Sequence, residues 1–200
     1  MFWIILRKDL LISLRNSSKI LAHLLFFLIF IALFFLLAQS QKNQALEPSI
    51  IIWIILVSSL IFSSSEFLKK DSEDGTLEQM LIIFQNFEFF ILGKIFANWL
   101  IYCLPTILLT YFIKPELDFI ILLFFATLAI NSICCFCGSL SILAHSSPII
   151  AVIALPLIIP IILISYGDFQ SSLKLLIGIS LFFTTILSFA TAKIIKIAEE

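Results

Sequence analysis

The sequence predicts an all-α polytopic membrane protein with six transmembrane helices, an N-terminal interfacial amphipathic helix and one short cytoplasmic helix. Apolar residue types make up 62% of the 200 residues and charged types only 12%, and the mean hydropathy is +1.18. A soluble domain of this size could not bury so much apolar surface. The apolar residues also form runs long enough to cross a bilayer, and most Lys and Arg residues cluster at one end of those runs.

Six apolar runs approach the length of about 20 residues that a membrane-spanning helix needs. A segment inside a bilayer must satisfy its own backbone hydrogen bonds, so each run is predicted to be a helix. Pro156 and Pro160 predict a kinked or broken helix in the fifth run, and Pro105 predicts a similar disturbance in the third. The runs cover approximately residues 20–38, 49–65, 89–113, 119–143, 149–166 and 173–192.

The Lys and Arg residues near the ends of the runs predict the orientation, because such residues are enriched on the cytoplasmic side of membrane proteins. One side has nine of them, and the other has only Lys42, Lys114 and Lys174. We therefore expect both termini and residues 66–88 to face the cytoplasm. The nine are Arg7, Lys8, Arg15, Lys19, Lys69, Lys70, Lys94, Lys193 and Lys196.

The chain divides into an amino-terminal segment, residues 1–19, and a six-span domain, residues 20–200. Four apolar residues of the first segment fall on one helical stripe, and Lys8 and Arg15 turn away from it. This pattern favours a cationic helix that lies in the inner membrane interface. The stripe consists of Trp3, Leu6, Leu10 and Leu14.

The sequence lacks the residues of several catalytic and transport mechanisms. Around Gly93-Lys94, Ile95 and Glu88 occupy the positions where a phosphate-binding P-loop requires Ser or Thr and a first Gly. The cores of the predicted spans contain no Asp, Glu, Lys or Arg, which counts against an ion-coupled transporter and an intramembrane protease. We therefore expect no enzymatic activity in this chain, and we assign any ATP hydrolysis to a partner.

Cysteines and histidines are weak candidates for a metal or haem site. His23 and His145 lie near span ends, where a single histidine is more often a polar group at a wet boundary than a haem ligand. The cysteines all lie in apolar runs, where cysteine usually acts as a small hydrophobic residue. We therefore predict no metal site and assign no cofactor-binding residue. The cysteines are Cys103, Cys134, Cys135 and Cys137.

The long polar segment at residues 66–88 contains a short predicted helix with a defined start. Asp74-Gly75 should end the preceding helix, because Gly75 can adopt a positive φ. Thr76 and Gln79 have the spacing of a capping box, and Glu78 suits the positive end of the helix dipole. The predicted helix has an apolar stripe with i, i+3, i+4, i+7 spacing. The stripe consists of Leu77, Met80, Leu81 and Phe84.

The residues alone leave two interpretations of this helix open. It is either a reentry turn that lies on the membrane, or a docking element whose apolar stripe fits a groove in a cytoplasmic partner. The predicted docking residues are Asp74, Gly75, Thr76, Leu77, Glu78, Gln79, Met80 and Leu81.

Two pairs of small residues predict self-association. Ser59 and Ser63 in the second run, and Gly93 and Ala97 in the third, have the small-xxx-small spacing that allows helices to approach closely.

Several segments carry a resemblance to a known family. Glu73-Asp74-Gly75-Thr76-Leu77-Glu78, followed by Glu88 and Leu92-Gly93-Lys94, resembles the loop between spans two and three of ABC-2-type permeases. Nearly end to end, the chain is similar to the CcmB family of cytochrome c maturation permeases, also called haem exporter protein B. The segments that carry this second resemblance are Ile50-Ile51-Ile52-Trp53, Ser58-Ser59-Leu60, Phe67-Leu68-Lys69-Lys70-Asp71, Leu155-Pro156-Leu157-Ile158-Ile159-Pro160 and Ser188-Phe189-Ala190-Thr191-Ala192.

The resemblance implies a homodimeric permease of the cell inner membrane, with a coupling helix in the loop 66–88 that contacts an ATPase subunit. It implies two copies of a CcmA-like ATPase, CcmC-like and CcmD-like membrane subunits, no nucleic acid, and a role in haem delivery during c-type cytochrome assembly. Haem is then a transported or handled ligand rather than a bound cofactor. The chain either conducts haem or acts as a mechanical coupler, and we prefer the coupler.

Two alternative functions stay open. One is an ABC-2-type exporter of a lipid, drug or polysaccharide, and the other is a structural membrane subunit without an ATPase partner. Neighbouring genes for cytochrome c assembly would favour the haem-related function. Failure to co-purify with any ATPase would favour the structural subunit.

Overall fold

The computed structural model describes residues 2–15, 17–40, 47–64, 67–84, 86–144 and 149–198, and every regular element in these ranges is helical. A π-helical segment, Trp99–Cys103, joins α6 to α7, so that Phe87–Ile113 forms one long helix. The helices are α1 (Phe2–Arg15), α2 (Ser17–Ser40), α3 (Pro48–Ser64), α4 (Lys69–Glu73), α5 (Thr76–Ile83), α6 (Phe87–Asn98), α7 (Leu104–Ile113), α8 (Leu117–Leu143), α9 (Ile149–Ser165) and α10 (Phe169–Ala198).

Among the described residues, three helices are long and apolar enough to cross a membrane, namely Phe87–Ile113, Leu117–Leu143 and Phe169–Ala198. The described residues also include three shorter apolar helices, Ile20–Phe34, Pro48–Ser64 and Ala151–Ser165. The predicted all-α fold class is therefore confirmed for the described part of the chain. Each apolar helix coincides with one of the six predicted runs, and three of them reach spanning length.

Helix α8 lies at the centre of the bundle. Every residue from 126 to 135 is buried, and α8 packs against α3, α7, α9 and α10. A helix buried on all sides is apolar on all sides, and the few polar residues of α8 are small or amide side chains such as Thr127, Asn131 and Ser132. The main core therefore surrounds α8, and a second, smaller core cluster lies beside α5.

The prolines have two different effects. Helix α9 is continuous from Ile149 to Ser165 with Pro156 and Pro160 inside it, so the alternative of a broken helix is wrong, and the kink stays a prediction. Each proline removes only one backbone hydrogen bond, and the apolar packing of α9 against α8 holds the helix together. The disturbance predicted at Pro105 is confirmed, because the π-helical segment ends two residues before it. The wider turn accommodates a ring that would otherwise clash with the carbonyl of Ile101.

Helix α1 is helical as predicted, and its buried face agrees with the predicted stripe at Leu6 but not at Trp3. Ile5 and Leu6 are buried, whereas Trp3 is 71% exposed. The reason is that α1 packs against α6 and α2, and these contacts select the buried face. The helix ends at Arg15, and residues 17–19 already belong to α2. The side chain of Leu14 lies outside the described residues.

The small residues that predicted self-association lie inside the chain. Ser59, Gly93 and Ala97 are buried and Ser63 is half-buried. Their small size serves close packing within the chain, of α3 against α2 and α8, and of α6 against α1 and α10. Self-association through these residues stays a prediction.

Candidate functional site

Residues 67–84 form two short helices, α4 and α5, joined by a turn at Asp74 and Gly75. Gly75 adopts a φ of 67°, and its N–H donates to the Ser72 carbonyl at 3.2 Å. Residues with a side chain rarely adopt this φ. The positive φ that the Asp-Gly pair predicts is therefore confirmed.

The predicted capping box is not formed. Gly75 occupies the N-cap position, so Thr76 is the first residue of α5, and the N-cap makes no side-chain hydrogen bond. The Thr76 hydroxyl instead donates to the Asp71 carbonyl at 3.0 Å. Gln79 is exposed, and Glu78 lies in the first turn as predicted. The helix starts at Thr76, one residue earlier than the capping box requires, and the Thr76 hydroxyl is directed back towards α4.

Helix α5 has two faces with opposite surroundings. The inner face consists of Leu77, Met80, Leu81 and the adjoining Phe84, and Leu77 is only 2% exposed. The outer face consists of Glu78, Gln79, Ile82 and Ile83, with Ile82 86% and Ile83 63% exposed. An exposed apolar patch next to polar side chains marks a contact with either another protein or the membrane.

The inner face packs into the second core cluster of the same chain. This cluster brings together residues of α1, α5, α6, α8 and α10 with Leu68 before α4. The apolar stripe, which a docking element would fit into a partner's groove, is therefore covered within the chain itself. The buried members of the cluster are Ile5, Leu68, Leu77, Phe87, Phe90, Ile91, Ile95, Cys135, Ala192 and Ile195.

A cluster of charged side chains lies next to α5. The Lys94 ammonium forms an ion pair with the Asp71 carboxylate, and it lies 3.5 Å from Oδ2 of Asp9. The Lys94 side chain is only 9% exposed, and those of Asp71 and Asp9 are 29% and 17% exposed. Burial raises the pKa of Asp9, and the nearby Lys94 charge opposes this effect in part. We call these three residues the Lys94 cluster.

The Lys94 cluster borders a cavity of about 340 Å³ between α1, the α4–α5 segment and the long helix Phe87–Ile113. Asp74, Asn98 and Tyr102 also line it. The Ser63 hydroxyl, which also lines the cavity, is buried and has no hydrogen-bond partner among the described residues. The cavity therefore has both charged and apolar walls, and Asp74 and Thr76 of the predicted docking residues line it.

An amide pair lies one helical turn beyond Lys94. Nδ2 of Asn98 donates to Oδ1 of Asn131 at 2.8 Å, and Nδ2 of Asn131 donates to the Ile95 carbonyl at 3.0 Å. Asn131 is fully buried and Asn98 is 9% exposed. In an apolar bundle such side chains join helices by hydrogen bonds. The sequence already distinguishes Asn98 and Asn131, because they are the only amide side chains in the six apolar runs. Their pairing is not predicted from the sequence.

The cysteines and the described histidine do not converge on one site. Cys103, Cys134, Cys135 and Cys137 are buried free thiols, and within the described residues no cluster of potential metal ligands occurs. His23 packs edge-on against Tyr102, with ring centroids 5.0 Å apart. His145 lies outside the described residues.

Comparison with known proteins identifies one matching family model and several relatives. A family model described as CcmB protein matches residues 1–198. The chain is 33% identical over 112 residues to heme exporter protein B of Escherichia coli strain K12, which covers 55% of this chain and 50% of that protein. It is 26% identical over 184 residues to heme exporter protein B of Pseudomonas aeruginosa, with 86% and 82% covered. An uncharacterized protein of Rickettsia conorii is 29% identical over 212 residues, with 97% and 95% covered. The chain spans about half the length of the first curated relatives that it matches.

Proposed function

The chain belongs to the CcmB family, and on this premise we propose that it is the permease subunit of an ABC transporter that serves haem export or delivery for c-type cytochrome assembly. The names of its relatives support the link to haem. The sequence has no P-loop, so ATP hydrolysis belongs to a separate, CcmA-like subunit and the chain itself is not an enzyme. CcmC-like and CcmD-like membrane subunits complete the proposed complex.

The outer face of α5 is the observation that carries this proposal. A coupling helix must present a surface that remains accessible after the permease has folded. Ile82 and Ile83 meet this requirement, whereas Leu77 is buried within the chain. We therefore assign the contact with the ATPase to Glu78, Gln79, Ile82 and Ile83, and we assign Leu77, Met80 and Leu81 to holding α5 in place.

We propose that the permease has six spans, with both termini and the loop 66–88 on the cytoplasmic side of the inner membrane. The nine-to-three distribution of Lys and Arg supports this orientation. Glu73 and Gln170, which are both exposed, offer positions for single cysteines in a background without the native ones. An impermeant maleimide should label position 170 in intact cells and position 73 only after permeabilisation. Labelling of position 73 in intact cells would reverse the orientation.

We propose that the chain acts mainly as a mechanical coupler. The interior of the bundle is filled by the main apolar core, and the cavity of about 340 Å³ beside the Lys94 cluster lies next to the α4–α5 segment rather than across the bundle. A homodimer is part of the proposal. The two alternative functions are an exporter of another substrate and a structural subunit without an ATPase. The experiments below distinguish them from the proposed function.

Substitution of the outer face tests the proposed ATPase contact. The double variant Ile82→Asp/Ile83→Asp places two charges on the contact surface. It should reduce co-purified ATPase by about tenfold or more, since truncating a central apolar contact often costs at least 1–2 kcal/mol. The matched control is Ile197→Asp, which changes an isoleucine that is 61% exposed near the end of α10. If both variants retain the ATPase equally well, α5 lies on the membrane instead of docking the ATPase.

A further inference from the structure

Lys94 connects three separate elements of the chain. It lies on α6, in the long helix that forms the proposed third span, and its ammonium pairs with Asp71 of α4. Asp9 of α1 provides a second carboxylate at 3.5 Å. A buried cation between two carboxylates resists displacement, because separating it from either one leaves a charge without compensation.

Asp71 also contacts the first residue of α5. The Thr76 hydroxyl donates to the Asp71 carbonyl at 3.0 Å and lies 3.3 Å from its Oδ1. A movement of α5 therefore reaches the Lys94 ammonium through one hydrogen-bonded residue. The contact is directional, unlike the apolar packing of Leu77 in the second core cluster.

The helix that carries Lys94 is itself fixed to the centre of the bundle. Asn98, one turn further along, is bonded to Asn131 of α8, and Asn131 is bonded to the Ile95 carbonyl. The indole N–H of Trp99 donates to the Thr127 hydroxyl at 3.2 Å. A displacement at Lys94 is thus passed to α6 and α8 together.

We propose that Lys94 and Asp71 are positioning residues that transmit the movement of α5 to the third and fourth spans. This inference rests on the proposed function, because it requires that an ATPase moves α5. The outer face of α5 binds the ATPase, and the Lys94–Asp71–Thr76 contacts convert that binding into movement of the spans. Binding and transmission therefore depend on different residues and can be separated by substitution.

The test measures binding and coupling in the same complex. Lys94→Met and Asp71→Asn remove the ion pair without changing Ile82 or Ile83. Both variants should retain the ATPase within about twofold of wild type, whereas the yield of c-type cytochrome per ATP hydrolysed should fall about tenfold, within the usual range of coupling between sites. The double variant should be no worse than the single ones, because both remove the same contact. Lys94→Arg, which keeps the charge, should retain part of the yield.

Lys193→Met is the matched control, since Lys193 is an exposed lysine near the cytoplasmic end proposed for α10. If Lys94→Met and Asp71→Asn keep the same cytochrome yield as this control, the inference is wrong. It is also wrong if both variants lose the ATPase together with the yield, because the Lys94 cluster would then only hold α5 for docking. If Lys94→Met does not accumulate, Asp71→Asn decides alone, because the Asp71 side chain is 29% exposed. Failure of the wild-type chain to retain any ATPase would instead overturn the proposed function.

Discussion

The two faces of α5 both contain apolar residues, but they have opposite surroundings. The inner face packs into the second core cluster of the same chain, whereas the outer face leaves Ile82 and Ile83 uncovered. An amphipathic pattern identifies the apolar side of a helix, but it does not identify the surface that covers it. Here the chain itself covers the regular stripe, so the less regular outer face is the one available to a partner.

The largest expected difference in stability is between a charge placed on the inner face of α5 and the same charge placed on its outer face. Leu77→Asp would bury an unpaired carboxylate, at a cost on the order of several kcal/mol, and should abolish the monodisperse folded protein in detergent. Ile82→Asp places the same charge on a side chain that is 86% exposed, and its thermal unfolding should match wild type. Equal stability of the two variants would show that the inner and outer faces have been assigned incorrectly.

A smaller effect on stability is expected from removing a buried hydrogen bond than from burying a charge, and almost none from removing an exposed contact. Asn131→Leu leaves the Asn98 amide with only its weak 3.6 Å contact to Sγ of Cys135, and it should lower the free energy of unfolding by about 1–3 kcal/mol. The double variant Asn98→Leu/Asn131→Leu should recover most of this loss, because neither amide is then left unpaired. Lys196→Met removes the exposed contact with Glu88 at 3.3 Å and should have almost no effect. Thermal unfolding in detergent measures all three, and a double variant that is less stable than Asn131→Leu would contradict this account.

A side chain at Gly75, in the turn before α5, should destabilise the local backbone conformation by about 1–2 kcal/mol. No other atom lies within 4 Å of a Cβ added at Gly75, so a side chain there meets no steric clash. Gly75→Val should still destabilise the segment, because valine disfavours a φ of 67°. Gly75→Asn is the matched control, because asparagine tolerates this φ. Proteolysis of the loop 66–88 measures the difference, and equal cleavage of the two variants would show that the turn does not need this φ.

These results show which features the sequence could predict. The turn at Gly75 and the start of α5 depend on neighbouring residues, so the Asp-Gly pair located them to within one residue. Leu77 is buried in a cluster that also contains Ile5 and Ile195, which are distant in the sequence. Local periodicity contains no information about such long-range packing, so the sequence leaves the surface that covers the stripe open.

The polar residues missed in the sequence have the same explanation. Lys94 was counted only as an interfacial cation, because its pairing with Asp71 and Asp9 requires α1, α4 and α6 to meet. The rarity of amides in the apolar runs was a usable signal for Asn98 and Asn131, but their partnership depends on the packing of α6 against α8.

The smallest expected effect concerns pH and the Lys94 cluster. Burial raises the pKa of Asp9 from its ordinary value of 3.8, and the charges of Lys94 and Lys8 oppose this, whereas that of Asp71 adds to it. The contribution of Asp9 to stability is therefore complete below its ordinary pKa and is lost as the pH rises through the raised pKa. Asp9→Asn should be slightly more stable than wild type at neutral pH, and the difference should shrink towards about pH 4. A less stable variant at neutral pH would show that the Lys94 pair outweighs the burial of Asp9.

The outer face of α5 can be tested most directly by photo-cross-linking in the assembled complex. A photoreactive residue at position 82 should capture the ATPase, and one at Phe112 should not. Phe112 is similarly exposed, at 83%, but lies at the opposite end of the long helix that follows α5. The account predicts a cross-linked product of permease and ATPase from position 82 only. Cross-linking from position 82 to lipid alone, while the wild-type complex retains its ATPase, would contradict it.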